Sequence, residues 1–340
     1  MEKLRLEESP QIRESDTVRS VMLDVCIALL PAYIWGIYLF GLRALTIGVL
    51  SVSFCLLFEL LYQKILKRPL TFSDGSAALT GLLIALSLPV SVSMWIVPIA
   101  AFFAIVVAKH VIGGLLNFAV NPALSARVFL FVAFSSQIRR VTEPFSALSP
   151  IAVSLDPKAL ESAVPDGAVA EGLKTGVFED GVISRILTGS VPGGIGQVSA
   201  VLLLAGLLYL GARSLVTWHI PVCFLATVAL LTVFFPEAQG IVPSLLSALF
   251  GGGVVFSAVF FATDYSTGPL TGGGKALYGV LCGILTVIFR RTLSSSEGAF
   301  FAVFLLGLGA RYLDLVLIPR SYGSKRDWKK ILSQLPFSTK

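Results

Sequence analysis

The apolar residues of this chain are gathered into ten long runs, and this arrangement constrains the fold more than any other feature. The first five runs lie at about 21–41, 43–63, 75–92, 94–112 and 122–136, and the other five at about 197–213, 216–235, 243–262, 274–291 and 297–318. A helix needs about 20 apolar residues to cross roughly 30 Å of hydrocarbon. Only 14% of the residues are charged, against roughly 25% in soluble domains. The pattern predicts an all-α polytopic membrane protein with about ten transmembrane helices.

The runs form two sets of five on either side of a polar segment, 137–196. With five spans in each set, the second set must begin on the opposite side of the membrane, so the two repeats are predicted to be inverted. The third run of each set is interrupted, by Pro89 in 75–92 and by Gly251–Gly253 in 243–262. Interrupted helices at matching places in two halves are typical of a binding site near the middle of the membrane.

The distribution of lysine and arginine predicts the orientation. Basic residues gather on the side of the two termini, whereas the short loops of the other side contain only Arg43, Arg290 and Arg291. Cytoplasmic loops carry the excess of positive charge, so both termini are predicted to be cytoplasmic. The predicted segments are a cytoplasmic N-terminal segment 1–20, a first repeat 21–136, an outward-facing loop 137–196, a second repeat 197–319 and a basic cytoplasmic tail 320–340.

Composition also argues against several other classes of function. The net charge of +6 does not indicate nucleic-acid binding, because the basic residues cluster beside the apolar runs. The four cysteines lie inside apolar runs without a C-x-x-C pair, which favours buried structural roles over metal ligation. The glycine-rich stretches 192–196 and 272–275 do not match the phosphate-loop pattern, and they are interpreted as entries into spans.

Several acidic residues lie at or near membrane depth, where a charge is costly and usually serves a function. They could form an ion pathway or a polar core, or they could cap helices and pair with Arg127, Arg311 or a neighbouring subunit. These acids are Asp24, Glu59, Asp74, Asp264 and Asp314.

The motif Asn121-Pro-Ala-Leu-Ser-Ala-Arg127 opens the fifth run. Asn121 is predicted to cap a helix that has Pro122 in its first turn, and the free amides of such a terminus can hold an anion. Arg127, inside the run, needs an anionic partner. That partner is either an acidic side chain or a phosphate.

A series of motifs in order resembles the RnfD/NqrB family, and RnfD more closely. The motifs include Ser9–Arg13, Val21–Ala32, Asp74–Ser76, Thr80–Leu83, Asn121–Arg127, Pro192–Ala200, Ala262–Asp264, Tyr278–Arg290 and Glu297–Ala302. The resemblance implies the membrane-embedded D subunit of an Rnf-type complex, which couples electron transfer between ferredoxin and NAD to Na⁺ or H⁺ translocation. It further implies a bacterial or archaeal cytoplasmic membrane, other membrane and peripheral subunits as partners, and two inverted repeats similar to those of urea transporters.

The resemblance also implies FMN, joined through a phosphoester to a threonine in an S-x-A-T motif of the outward loop. In this chain the position of that threonine is occupied by Ala168 or Gly172, depending on the anchor used, and neither has a hydroxyl. The nearest candidates are Thr175 and Thr188, and a noncovalent flavin or none remains open. Asn121 and Arg127 are the other cofactor-binding candidates, and no acid–base catalytic residue is expected.

Two other functions are consistent with the same pattern. A channel or transporter subunit without a redox cofactor would account for the interrupted helices and the missing threonine. A scaffold that docks redox partners in the membrane would account for the hydrophobic framework alone.

Overall fold

The computed structural model describes residues 17–67, 74–111, 120–139, 193–197, 199–236, 241–251, 253–264, 266–292 and 297–317. Within these residues the secondary structure is helical, apart from one antiparallel bridge between Pro89 and Gly194. Each of the ten predicted apolar runs contains a helix.

The first half of the chain has six helices among the described residues. They are α1 (Val18–Phe40), α2 (Leu42–Ile65), α3 (Ser76–Ser87), α4 (Ile96–Phe102), α5 (Pro122–Ala133) and α6 (Ser135–Ile138), and α4 continues as a π-helix over Phe103–Val111. Thr17 and Ser20 form a capping box at the start of α1. Asn121 accepts hydrogen bonds from the amides of Ala123 and Leu124, which confirms the predicted cap of α5.

The second half is described from Gly193 onward. Its helices are α7 (Ala200–Ala212), α8 (His219–Phe234), α9 (Ile241–Phe250), α10 (Val254–Phe256), α11 (Gly272–Thr292) and α12 (Gly298–Leu317), with a π-helix Ser257–Phe261 directly after α10. α8 packs closely against α11: a Cβ added at Gly279 of α11 would lie only 2.8 Å from the carbonyl oxygen of Ile220 in α8. Glycine at this place therefore sets the distance between the two helices.

By length and composition, three helices of the described chain are able to cross a membrane by themselves: α1, α2 and α11. A fourth span results if Ser244–Phe250 and Val254–Phe261 are counted as one helix bent by 46°. The remaining apolar helices are shorter. The structure therefore supports an all-α membrane protein, while the count of ten spans stays a prediction.

Both of the predicted interruptions are present. α3 ends at Ser87, and Leu88 is extended with a ψ of 147°, as the residue before a proline prefers. α9 ends at Phe250, and the chain turns through Gly253, whose φ is +65°. The carbonyl ends of two half-helices therefore lie inside the protein, where their oxygens need partners.

Some segment boundaries differ from the prediction. α1 begins at Val18, so the last residues of the predicted segment 1–20 are helical. The end of α6, residues 137 and 138, and residues 193–196 lie inside the predicted loop 137–196 and are packed against the helices, since Ile138 and Ile195 are buried. Residues 140–192 of that loop and the tail 320–340 lie outside the described residues.

Candidate functional site: a polar seam between the two helical halves

Polar groups of the first half meet polar side chains of the second half at several places, which we call the polar seam. It comprises the contacts Asp24–Tyr209/Arg213, Asn121–Asp264, Arg127–Glu297 and Ser87–Gln197. Each contact joins residues more than 100 positions apart in the sequence.

Asp264 lies in the loop after the second π-helix and is bound by hydrogen-bond donors. The side-chain amide of Asn121 donates to Oδ2 of Asp264 at 2.9 Å, and the amide of Ser266 donates to Oδ1 at 3.1 Å. The hydroxyl of Ser266 lies 3.0 Å from both oxygens. Burial raises the pKa of Asp264 above its ordinary value, and the bonds from Ser266, Asn121 and Thr267 oppose that shift. Asp264 therefore ties this loop to the cap of α5.

A cavity of about 80 Å³ lies beside this contact, between α1, α3 and α5 of the first half and α7 and the second π-helix of the second half. Its apolar wall includes Val25, Leu83 and Leu210. Its polar lining consists of Ser76, Thr80, Lys109, Asn121, Thr263, Asp264 and Ser266. A cavity needs only about 10–15 Å³ and two to four polar partners to hold a water molecule, so this cavity suits several waters or a small hydrated ion.

Lys109 and Glu59 form a buried ion pair at one side of the cavity. The Lys109 Nζ atom lies 2.7 Å from Oε1 of Glu59 and 2.8 Å from Oγ of Ser76. The side chains are 2% and 0% exposed, and Gln63 donates a further hydrogen bond to Glu59 at 3.3 Å. The sequence marked Glu59 as an acid at membrane depth but did not identify Lys109 as its partner, because 50 residues separate the two.

Arg127 pairs with Glu297 across the polar seam, and both side chains are buried. The guanidinium also lies over the ring of Phe300, 5.4 Å from its centroid. Nε and Nη1 of Arg127 have no hydrogen-bond partner within the described part of the chain. The sequence analysis gave two possible anionic partners for Arg127, an acidic side chain or a phosphate, and the structure shows an acidic side chain. The acid is Glu297, directly before α12, which belongs to one of the family motifs but had no predicted role of its own.

Two of the other predicted acids, Asp24 and Asp314, have separate partners. Asp24 accepts from the hydroxyl of Tyr209 at 2.8 Å and from Nη2 of Arg213 at 2.9 Å, and so joins α1 to α7. Asp314 accepts from the backbone amides of residues 270 and 271 at 2.9–3.2 Å, directly before α11. Asp74 does not cap α3, whose N-cap is Gly75 without a side-chain hydrogen bond. Asp24 and Asp314 therefore stabilise different junctions of the fold.

The carbonyl end of α3 is closed by the glycine-rich segment 193–196 and by Gln197. The amides of Gly196 and Ile195 donate to the oxygens of Leu86 and Leu88 at 2.9 and 3.0 Å. The side chain of Gln197 donates to the oxygen of Ser87 at 3.0 Å. The glycines permit this close approach, since a Cβ on Gly196 would lie 2.6 Å from side-chain atoms of Leu86. This contact agrees with interpreting the stretch as an entry into a span rather than a phosphate loop.

Two arginines bind further carbonyls at the interruptions. Arg43, at the start of α2, donates from Nε to Val90 at 2.8 Å and from Nη2 to Val92 at 3.1 Å. Arg290, near the end of α11, donates to the carbonyls of Ser247 and Ala248 in the last turn of α9. In the sequence both arginines served only to predict orientation. Their place at the very end of an apolar run was the available signal.

The flavin-attachment candidates Thr175 and Thr188, and the positions Ala168 and Gly172, lie outside the described residues. Their relation to the polar seam stays a prediction. Asn121 and Arg127, the other two cofactor-binding candidates, both belong to the polar seam.

Comparison with known proteins supports the resemblance noted in the sequence. The pattern of the NQR2, RnfD, RnfE family matches residues 5–323. The chain belongs to this family. The predicted resemblance to RnfD and NqrB is therefore confirmed.

Named relatives match the chain over nearly its whole length. The D subunit of the Na⁺-translocating ferredoxin:NAD⁺ oxidoreductase complex of Acetobacterium woodii is 33% identical over 94% of this chain and 95% of the relative. The D subunit of the proton-translocating ferredoxin:NAD⁺ oxidoreductase complex of Clostridium ljungdahlii is 32% identical over 94% and 96%. The D subunit of the ion-translocating oxidoreductase complex of Stutzerimonas stutzeri is 33% identical over 93% and 95%.

Proposed function

We propose that this chain is the D subunit of an ion-translocating ferredoxin:NAD⁺ oxidoreductase complex. The observation that carries the proposal is the similarity to the D subunit of Acetobacterium woodii over 94% of the chain and 95% of the relative. The two proteins therefore correspond over nearly all of both sequences. The partners are then the other membrane and peripheral subunits of the complex, together with Na⁺ or H⁺.

We further propose ten spans in two inverted repeats of five, in the bacterial cytoplasmic membrane with both termini inside. A helix lies in each of the ten apolar runs, and the third helix of each half, α3 and α9, is interrupted. The helices shorter than a full span are consistent with this arrangement if they are continued or tilted at their ends. The basic residues beside the runs support the orientation.

The role of the protein is proposed to be an electron relay that carries FMN. FMN supplies reversible uptake and release of electrons, and the protein orients it and adjusts its potential by hydrogen bonds and charge. Arg127 supports the proposal, since its Nε and Nη1 atoms have no hydrogen-bond partner among the described residues and could donate to an anion near Glu297. Asn121 is already committed to the cap of α5 and to Asp264, so its contribution would be to position the start of α5.

The first test is the visible spectrum of the purified complex, with flavin fluorescence of the separated subunits after denaturation. Fluorescence that stays with this chain, and that is lost in Thr175→Val or Thr188→Val, would show covalent FMN at a threonine outside the usual motif. Yellow colour that leaves the chain on denaturation would show noncovalent flavin. A native subunit without flavin, isolated under mild conditions, would contradict the relay.

The complex itself is tested in inverted membrane vesicles. Reduced ferredoxin and NAD⁺ should drive Na⁺ or H⁺ uptake in vesicles that contain the whole complex, and uptake should disappear when this subunit is deleted and return with a plasmid copy. Vesicles that retain full ferredoxin:NAD⁺ activity and coupled uptake without the subunit would contradict the assignment.

A channel or transporter subunit without a redox cofactor is the second candidate. Two observations favour it: the missing hydroxyl at positions 168 and 172, and a cavity of about 80 Å³ beside the interrupted helix α3. Ion or solute uptake into liposomes that contain only this subunit, without an electron donor, would support this candidate over the relay.

A further inference from the structure

We propose that Arg43 and Arg290 act as tethered cations that occupy backbone carbonyls at the two interruptions, in the segment after α3 and in the last turn of α9, and that they exclude free monovalent cations from these carbonyls. They would be selectivity-determining residues in an ion-translocating complex. Their function would be to prevent passive leak. The proposal depends on the geometry of the two interruptions and does not require a bound flavin.

The first arginine lies at the unwound end of α3. Arg43 is 3% exposed, and its guanidinium spans the carbonyls of Val90 and Val92 at 2.8 and 3.1 Å. These carbonyls belong to the segment that follows Ser87, where α3 ends. A positive group is thus fixed beside the backbone oxygens that the interruption leaves without helical partners.

The second arginine repeats the arrangement in the other half. Arg290 extends from α11 to the last turn of α9, where both of its terminal nitrogens donate to carbonyl oxygens, those of Ser247 and Ala248. A Cβ added at Gly251 would lie 3.5 Å from Nη2 of Arg290, so the guanidinium lies directly beside the interruption. Two arginines on different helices therefore bind backbone carbonyls beside the two interruptions, Arg43 after the end of α3 and Arg290 within the last turn of α9.

The chemistry of these ends explains why a cation belongs there. The C-terminal end of a helix carries about half a negative charge, and backbone oxygens at membrane depth need a partner. In transporters with interrupted helices, such ends and unwound carbonyls coordinate Na⁺. A guanidinium satisfies the same oxygens, but its charge is fixed to the protein and repels a free cation, as arginines do in selective pores.

The two ends are close enough to act together. Gln197 donates to the carbonyl of Ser87 in α3, and its Oε1 atom would lie 2.8 Å from a Cβ added at Gly253, after α9. One neutral side chain thus touches both interruptions. It fills the space between them without adding charge.

The cavity is lined by the same elements that carry the two interruptions. On α3 the cavity is lined by Ser76, Leu79, Thr80 and Leu83, and Ser87 follows Leu83 by one helical turn. On the other half it is lined by Val259 and Phe260, which follow the interruption at Gly253. One wall of the cavity in each half therefore leads along the chain to an interruption.

The test is passive cation uptake by proteoliposomes that contain the whole purified complex, without ferredoxin or NAD⁺. A valinomycin-induced K⁺ potential, negative inside, drives ²²Na⁺ inward. We expect Arg43→Gln and Arg290→Gln to raise the initial uptake at least about tenfold over the unaltered complex, since roughly 1.4 kcal/mol of lost barrier gives a factor of ten. Arg43→Lys and Arg290→Lys keep the charge, and their initial ²²Na⁺ uptake is expected to equal that of the unaltered complex.

The matched control is Arg291→Gln. Arg291 neighbours Arg290 on the same helix, is exposed, and binds the carbonyl and ring of Phe235 rather than an interruption. Its neutralisation should leave uptake unchanged. Addition of guanidinium chloride at millimolar concentration should reduce the leak of the glutamine variants, because the free ion can reoccupy the carbonyls.

Two outcomes would overturn the proposal. Glutamine variants that assemble into the complex, lose thermal stability and yet take up ²²Na⁺ at the unaltered rate would show that the arginines only satisfy backbone oxygens. If the glutamine variants do not assemble, the lysine variants decide, because a leak through them would show that the fixed charge is not the barrier. Tight lysine variants support the proposal.

Discussion

Single residues of the protein interior carry charges that the fold must neutralise, and the pair Lys109–Glu59 shows how. Both groups are buried, and Lys109 also donates a hydrogen bond to the hydroxyl of Ser76. A pair of this kind contributes little net stability, but removal of one partner leaves an uncompensated charge in the interior. The pair is therefore fixed more by the cost of breaking it than by the gain of forming it.

Substitution of one partner of this pair should be far more harmful than substitution of both. We expect Lys109→Met or Glu59→Gln alone to destabilise the protein by about 3–5 kcal/mol, and the double variant to recover most of that loss. Thermal unfolding in detergent, followed by intrinsic fluorescence, measures the three variants. Equal losses that simply add in the double variant would mean that the two charges do not depend on each other.

Asp264 gives a prediction for pH dependence at the same scale. Burial raises its folded pKa above 3.8, so the folded protein holds a proton that the unfolded chain releases. The corresponding contribution to stability is fully present below the pKa of the unfolded chain, 3.8, and is lost as the pH rises through the higher pKa of the folded protein. We expect the melting temperature of the unaltered protein to fall more steeply than that of Asp264→Asn as the pH rises over this range. Parallel curves would contradict the assignment.

At the scale of helices, the interruptions depend on backbone conformations that only particular residues permit. Gly253 has a φ of +65° and leaves no space for a side chain, since an added Cβ would lie 2.8 Å from Gln197 and 2.9 Å from Phe300. The turn between α9 and α10 therefore requires glycine for two separate reasons, conformation and packing.

Gly253→Ala should accordingly lower stability by more than about 1 kcal/mol, the order expected for alanine in a left-handed conformation together with overpacking. Gly309→Ala is the matched control, because Gly309 lies inside α12 and an added Cβ would have no neighbour within 4 Å among the described residues. That substitution should raise helix stability by about 0.5–1 kcal/mol. The two melting temperatures should move in opposite directions, and a shared direction would refute this account of the turn.

At the scale of the whole molecule, the proposed topology has a direct test. With ten spans, fusions of green fluorescent protein after residue 330 should fluoresce, whereas alkaline phosphatase inserted near residue 160 should be active, because the two positions lie on opposite sides of the membrane. Fusions at 66–73, between α2 and α3, are the internal control and should report the cytoplasm. If the phosphatase near residue 160 is inactive, or the fusion after residue 330 does not fluoresce, the number of spans in the first or the second half differs from five.

Much of the local structure follows from the sequence. The periodic apolar runs, the Asn121–Pro122 start of α5, and the interruptions after Ser87 and before Gly253 all follow from hydrophobicity and backbone preferences within a few neighbouring residues. The family also follows from motifs in the sequence alone. Such features are local, so a linear sequence contains them in full.

The partners of the charged groups were decided only by the tertiary structure. The sequence predicted that Arg127 needs an anionic partner and left the role of Glu59 open, but it could not identify their partners Glu297 and Lys109, which are 170 and 50 positions away. It assigned Arg43 and Arg290 to the membrane surface, although both extend to carbonyls of interrupted helices. Electrostatic and hydrogen-bond partners depend on distance in space, and only the packing of the helices brings these groups within about 3 Å of each other.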